Sequence, residues 1–160
     1  KEINGPAGPY YNNARYALIA GMETSVMPNA GTGTYSGSVI GFGANDIDIY
    51  EVEGNVNLLV DFASDDLTAN FSNIIGTPYL PTPPSGSTPY DFGDFSMSAS
   101  VNRNEFSSGS IEVGDYRGNM LGIFFGPGAA EIGGSVYLEK NLSGAYPDGW
   151  LELGFGATRD

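Results

Sequence analysis

The chain has 160 residues, enough for one domain with a substantial core, and six Lys or Arg against 19 Asp or Glu give a formal charge of −13. That balance argues against nucleic acid and anionic lipid as partners, because no basic patch exists to meet phosphates. The absence of His and Cys removes a Ser-His-Asp triad, a thiol nucleophile, disulfides and most transition-metal sites.

The 24 Gly and 10 Pro, set among 10 Tyr and 9 Phe, point to an all-β chain with many turns. No apolar run approaches the ~18 residues of a membrane helix. Outward positions are mostly Ser, Asn, Asp and Thr, which favours a water-facing barrel over a membrane barrel.

Residues 1–14 are rich in Gly, Pro and Asn and read as a tail or loop, with the barrel domain predicted over 15–160. A short strand is expected over 16–22, a turn region over 23–33, and a strand with small residues on both faces over 34–42. Glycine-spaced strands of this kind suit a tightly curved wall. Tyr10, Tyr11 and Tyr16 are candidates to cap one barrel end.

Asp46, Asp48 and Glu51 then form an acidic stretch. Calcium wants several hard oxygen ligands and Asp-x-Asp spacing supplies two, so the stretch is a candidate calcium site or a solvated acidic turn.

The next strand, 52–62, puts Val56, Leu58, Val60 and Phe62 on one face and Asn55, Asn57 and Asp61 on the other. Ser64-Asp65-Asp66 has turn chemistry. Leu67, Ala69 and Phe71 then alternate with Thr68, Asn70 and Ser72, predicting an antiparallel hairpin.

Five of the ten prolines fall in 75–91, which predicts a long loop with no strand through it. Tyr79, Leu80 and Tyr90 are its apolar residues. They are candidate partner anchors, or else they fold back to plug the barrel mouth.

Beyond the loop, Phe95, Met97, Ala99 and Val101 share one face, Asn102-Arg103-Asn104-Glu105 reads as a turn, and 106–113 as a strand. A hairpin comes next over 118–138, with Leu121, Ile123 and Phe125 expected inward on its first arm and Ile132, Val136 and Leu138 on its second. Gly126-Pro127-Gly128 ends the first arm, and Gly133-Gly134 predicts a bulge or a close backbone approach. Glu131 is expected to accept hydrogen bonds from the turn's amides, or else to contact a partner. After a loop over 140–149, Leu151, Leu153, Phe155 and Ala157 face inward on the last strand.

The count of about eight to nine strands predicts a single antiparallel up-and-down barrel of about eight strands, lipocalin-like, with a long Pro-rich loop. Inward Phe62, Phe71, Phe95, Phe125 and Phe155 predict a filled interior.

Phe124-Phe125-Gly126-Pro127, with Ala129, Glu131 and Ile132-Gly133-Gly134, resembles the signature of the β-barrel domains of transferrin-binding protein B and related bacterial surface lipoproteins. The stretches 27–37, and 57–63 followed by 67–71, resemble the same domain. The resemblance implies a non-enzymatic binding module that presents loops to a protein partner in metal or haem acquisition. It also implies a Gram-negative outer-membrane or extracellular location, with any lipid anchor upstream of Lys1. The family's full receptor has two lobes, each a handle and a barrel, and this chain has room for one barrel. Two other readings stand beside it: a lipocalin-like carrier with an internal cavity, and a calcium-stabilised adhesion module.

Overall fold

The computed structural model describes residues 21–45, 48–79, 88–140 and 149–160. All of its regular structure is β: β1 (Thr32–Asn45), β2 (Asp48–Asp61), β3 (Asp66–Pro78), β4 (Tyr90–Asp91), β5 (Phe95–Asn102), β6 (Glu105–Ser107), β7 (Ile111–Val113), β8 (Tyr116–Phe125), β9 (Glu131–Lys140) and β10 (Gly149–Arg159). Every pairing is antiparallel, and the order β2-β1-β10-β9-β8-β6-β5-β3 closes on itself through β2–β3. Eight strands make the wall; the two short extra ones, β4 on β3 and β7 on β8, extend it. Closure leaves the long strands without edges, which is how an antiparallel sheet of this kind avoids pairing with other chains.

Alternation builds the wall as read from the sequence along most of its length. Val56, Leu58 and Val60 on β2, Leu67, Ala69 and Phe71 on β3, Met97, Ala99 and Val101 on β5, and Leu151, Leu153, Phe155 and Ala157 on β10 are all buried. Phe95 is half-buried and stacks on Phe71, with ring centroids 4.7 Å apart. Bulky rings meet across the interior: Phe124 lies 6.2 Å from Tyr35, 6.2 Å from Phe62 and 5.8 Å from Phe106, while Phe155 lies 5.6 Å from Phe71. The barrel is filled.

Three expectations are corrected. On β8 the inward residues are Met120 and Phe124, both 0% exposed, whereas Leu121 is 53% exposed. Phe125 is buried too, but on the outer face: it stands outside the core cluster, bridges Glu23, and its ring lies where a side chain on Gly21 would go. An apolar residue at every position from Met120 to Phe125 except Gly122 supports either face, and the register with β9 decides it.

Of the two outcomes expected at Gly133-Gly134, the close backbone approach is the one found: a Cβ on Gly134 would run into the Leu121 carbonyl. Gly133 and Gly134 stay in continuous register with both neighbours, and the shift falls between β2 and β3 at Glu53/Asn55. There Asn73 takes a φ of 53°, and the inward parity of β3 changes so that Ile74 is buried after Phe71. A Cβ on Gly54 would collide with the Ile74 side chain.

Residues 106–113 form two short strands rather than one, because Ser108 folds its side chain onto β8, where the Met120 N–H donates to its Oγ at 2.7 Å. Finally, the break over 75–91 is narrower than expected. β3 runs to Pro78, and Ile75 and Gly76 pair with Asp91 and Tyr90 of β4. Pro78 is tolerated as the last strand residue, where the ladder stops. The expected strand over 16–22 lies almost wholly outside the described residues.

Candidate binding surface

The two barrel ends differ. At one, the β8–β9 turn is tightly held. Gly126 (φ 73°), Gly128 (φ 63°) and Ala129 (φ 59°) take left-handed backbone angles around Pro127. The Tyr35 hydroxyl donates to the Ala129 carbonyl at 2.7 Å and the Thr24 hydroxyl to the Gly126 carbonyl at 2.8 Å. The Arg159 guanidinium donates to the carbonyls of Gly128 (3.1 Å) and Thr32 (3.2 Å) and lies 5.5 Å over the Phe62 ring. Burial raises the Tyr35 pKa above 10.0, with Arg159 opposing, so Tyr35 stays a donor. Glu131 opens β9 with an exposed side chain; among the described residues the turn is held by bonds from those other groups. Gly133 and Gly134 come next on β9, where a Cβ on Gly134 would meet the Phe155 ring at 2.7 Å.

The opposite end carries the two longest connections, which start after Pro78 and Lys140 and return at Tyr90 and Gly149. Tyr79 and Tyr90 separate there. Tyr79 leaves the strand along the outer wall, donating its N–H to the Ile49 carbonyl (2.9 Å) and setting its ring edge-on to Phe42 at 5.6 Å. Tyr90 turns to the mouth and packs with Tyr50 at 5.7 Å and Phe92 at 4.8 Å. Burial first, then Asp48 and Tyr90, raise the Tyr50 pKa. Leu80 lies outside the described residues, as does Asp46. Asp48 and Glu51 stand an odd number of residues apart on β2 and so point to opposite faces. Among the described residues no three Asp or Glu gather closely enough to hold a metal ion.

One feature of the outer wall was missed by sequence reasoning. A groove of about 480 Å³ runs over β2, β1, β10 and β9, lined by Ile40, Phe42, Glu51, Glu53, Ser135 and Glu152 among others. Phe42 is in register with Glu51 on one side and Glu152 on the other. Tyr137 lies next in that row, and burial, then Glu139 and Glu152, raise its pKa. No motif marks this surface, since its residues come from two pairs of strands at opposite ends of the chain.

The family described as the C-lobe and N-lobe beta barrels of Tf-binding protein B matches residues 27–159. Solved structures agree in fold. A transferrin binding protein B mutant from Haemophilus parasuis Hp5 superposes with a TM-score of 0.61 at 18% identity, covering 86% of this chain and 28% of that one. The intact Ap-TbpB, with N and C lobes, gives 0.58 at 18% identity, covering 86% and 28%. Isotype 1 transferrin binding protein B of serogroup B Neisseria meningitidis gives 0.56 at 19%, covering 87% and 27%. The chain thus spans little more than a quarter of the length of these proteins. No curated protein matches it in sequence. A match over the whole wall, from before β1 to the last residue of β10, places the chain in the family of transferrin-binding protein B β-barrels.

Proposed function

We propose that the chain is a non-enzymatic protein-binding module of an exported bacterial surface protein, and that it engages its partner through the end bearing the long connections. The observation that carries this reading is the filled interior. Tyr35, Phe71, Phe106 and Phe124 are each under 2% exposed inside the barrel. Contact groups are therefore those on the outer wall and at the mouth. That supports outward binding over a small ligand carried inside, as a lipocalin-like reading requires. The lack of His and Cys supports a non-enzymatic role. Tyr79 and Tyr90, with Leu80 between them in the same connection, are the proposed partner contacts, since aromatic side chains bury much area with few rotors. Family membership makes transferrin the first partner to try, in metal acquisition at a Gram-negative cell surface.

The test is biolayer interferometry of the immobilised chain against iron-loaded and iron-free mammalian transferrins. Saturable binding that Tyr79→Ser weakens without lowering Tm supports the reading. No saturable signal with any transferrin refutes transferrin as the partner. Saturable uptake of haem or a lipophilic dye, with protection from quenching, points instead to an internal carrier.

A further inference from the structure

We infer that the outer groove over β2, β1, β10 and β9 binds a cationic, apolar segment of a protein partner. This deepens the reading of the chain as a binding module, on the outer wall that adjoins the mouth at the Phe42–Tyr79 contact. Ile40 is 58% exposed at the groove's centre and in register with Glu53 on β2 and Gly154 on β10. Gly154 has no side chain, and its neighbour on β9 is the small Ser135, so the wall dips there. One row along, Phe42 lies between Glu51 and Glu152. Ile75, 39% exposed, extends the apolar surface beyond Glu53.

Among the described residues the lining combines an aliphatic and aromatic floor with the carboxylates of Glu53 and Glu152 near its centre, and holds no Lys or Arg. Such a floor suits the stem of an Arg or Lys, and the carboxylates suit its head. An anionic segment is repelled, and a neutral apolar one strips water from Glu53 and Glu152 without compensation. A segment carrying a basic residue beside an aliphatic one satisfies both halves of the groove.

The test uses the full chain and three fluorescein-labelled octapeptides: alternating Leu and Arg, alternating Ser and Arg, and alternating Leu and Glu. Fluorescence anisotropy is expected to give saturable binding of the Leu/Arg peptide alone, weakening as NaCl rises. Glu53→Gln with Glu152→Gln, and separately Ile40→Ser, should each weaken it at least about fivefold. The same exchanges away from the groove, Glu105→Gln with Glu112→Gln and Leu59→Ser, should leave it unchanged, and near-equal Tm values confirm folding.

Equal binding of the Ser/Arg peptide, or equal loss in both Glu pairs, would mean diffuse attraction to an acidic protein and overturns the inference. So does absence of saturable binding. A dimer in sedimentation that Ile40→Ser dissociates assigns the groove to a second copy instead. Transferrin binding that survives the groove variants leaves the proposed function standing while the inference falls; peptide binding without any transferrin binding upholds the inference and removes transferrin as the partner.

Discussion

Phe124→Ala tests the inside and outside assignment of the wall most directly. The ring is 0% exposed and meets Tyr35, Phe62 and Phe106 with centroids 5.8–6.2 Å away. Truncation removes the transfer energy of the ring and leaves a cavity that the closed wall cannot collapse around, so the loss is about 3–5 kcal/mol. That is a large share of the ~5–15 kcal/mol by which a domain is stable. For a chain of this length Tm should fall by roughly 6–20 °C. Urea melts of Phe124→Ala and Phe125→Ala, analysed with a common slope, make the comparison. Phe125 is buried on the outside against the strand-like segment at Glu23, which can shift when the ring goes. Its loss should therefore cost less. Phe124→Ala within ~1 kcal/mol of wild type, or Phe125→Ala the more damaging of the two, refutes the register on which the barrel description rests.

Tyr35→Phe removes one hydroxyl and leaves the buried Ala129 carbonyl without its donor, so urea denaturation should show a loss of about 1–3 kcal/mol; an unchanged midpoint refutes the idea that this bond holds the turn. Gly37→Ala should destabilise by ~1–3 kcal/mol, because its Cβ would run into the Gly156 carbonyl, whereas Gly156→Ala, with nothing within 4 Å, should be neutral or gain about 0.4–1 kcal/mol. Thermal melts that rank these two variants the other way contradict the packing. Burial is the first cause raising the pKa values of Tyr35, Tyr50, Tyr116 and Tyr137 above 10.0. The folded chain holds these phenolic protons more tightly than the unfolded one, so their contribution is complete below pH 10 and lost as pH rises through the shifted values. Absorbance at the tyrosinate band should show phenols titrating late in the native state and all together in urea; superposed curves would remove this contribution. Arg117→Ala breaks the 3.2 Å pair with Glu139, whose side chains are 52% and 35% exposed, so the expected change is under ~1 kcal/mol.

Composition and period-2 patterning determined a good deal without coordinates: an all-β chain, most of its strands, the hairpin at 61–66, and the inward faces of β2, β3, β5 and β10; the family was legible only as a resemblance, in the motif from Phe124 to Gly134. These are local properties, carried by alternating side chains and by turn residues whose backbone preferences act over a few positions. Tertiary structure alone decided the rest. Only the ladder with β9 set which of the adjacent Phe124 and Phe125 enters the core, because both faces of that arm are apolar. Only the mismatch of β2 against β3 placed the bulge at Gly54 and turned Ile74 inward. Only the closing of β1 onto β10 brought Ile40, Glu53 and Glu152 to one groove, since residues a hundred positions apart meet through register, a relation between strands that no single strand's sequence encodes.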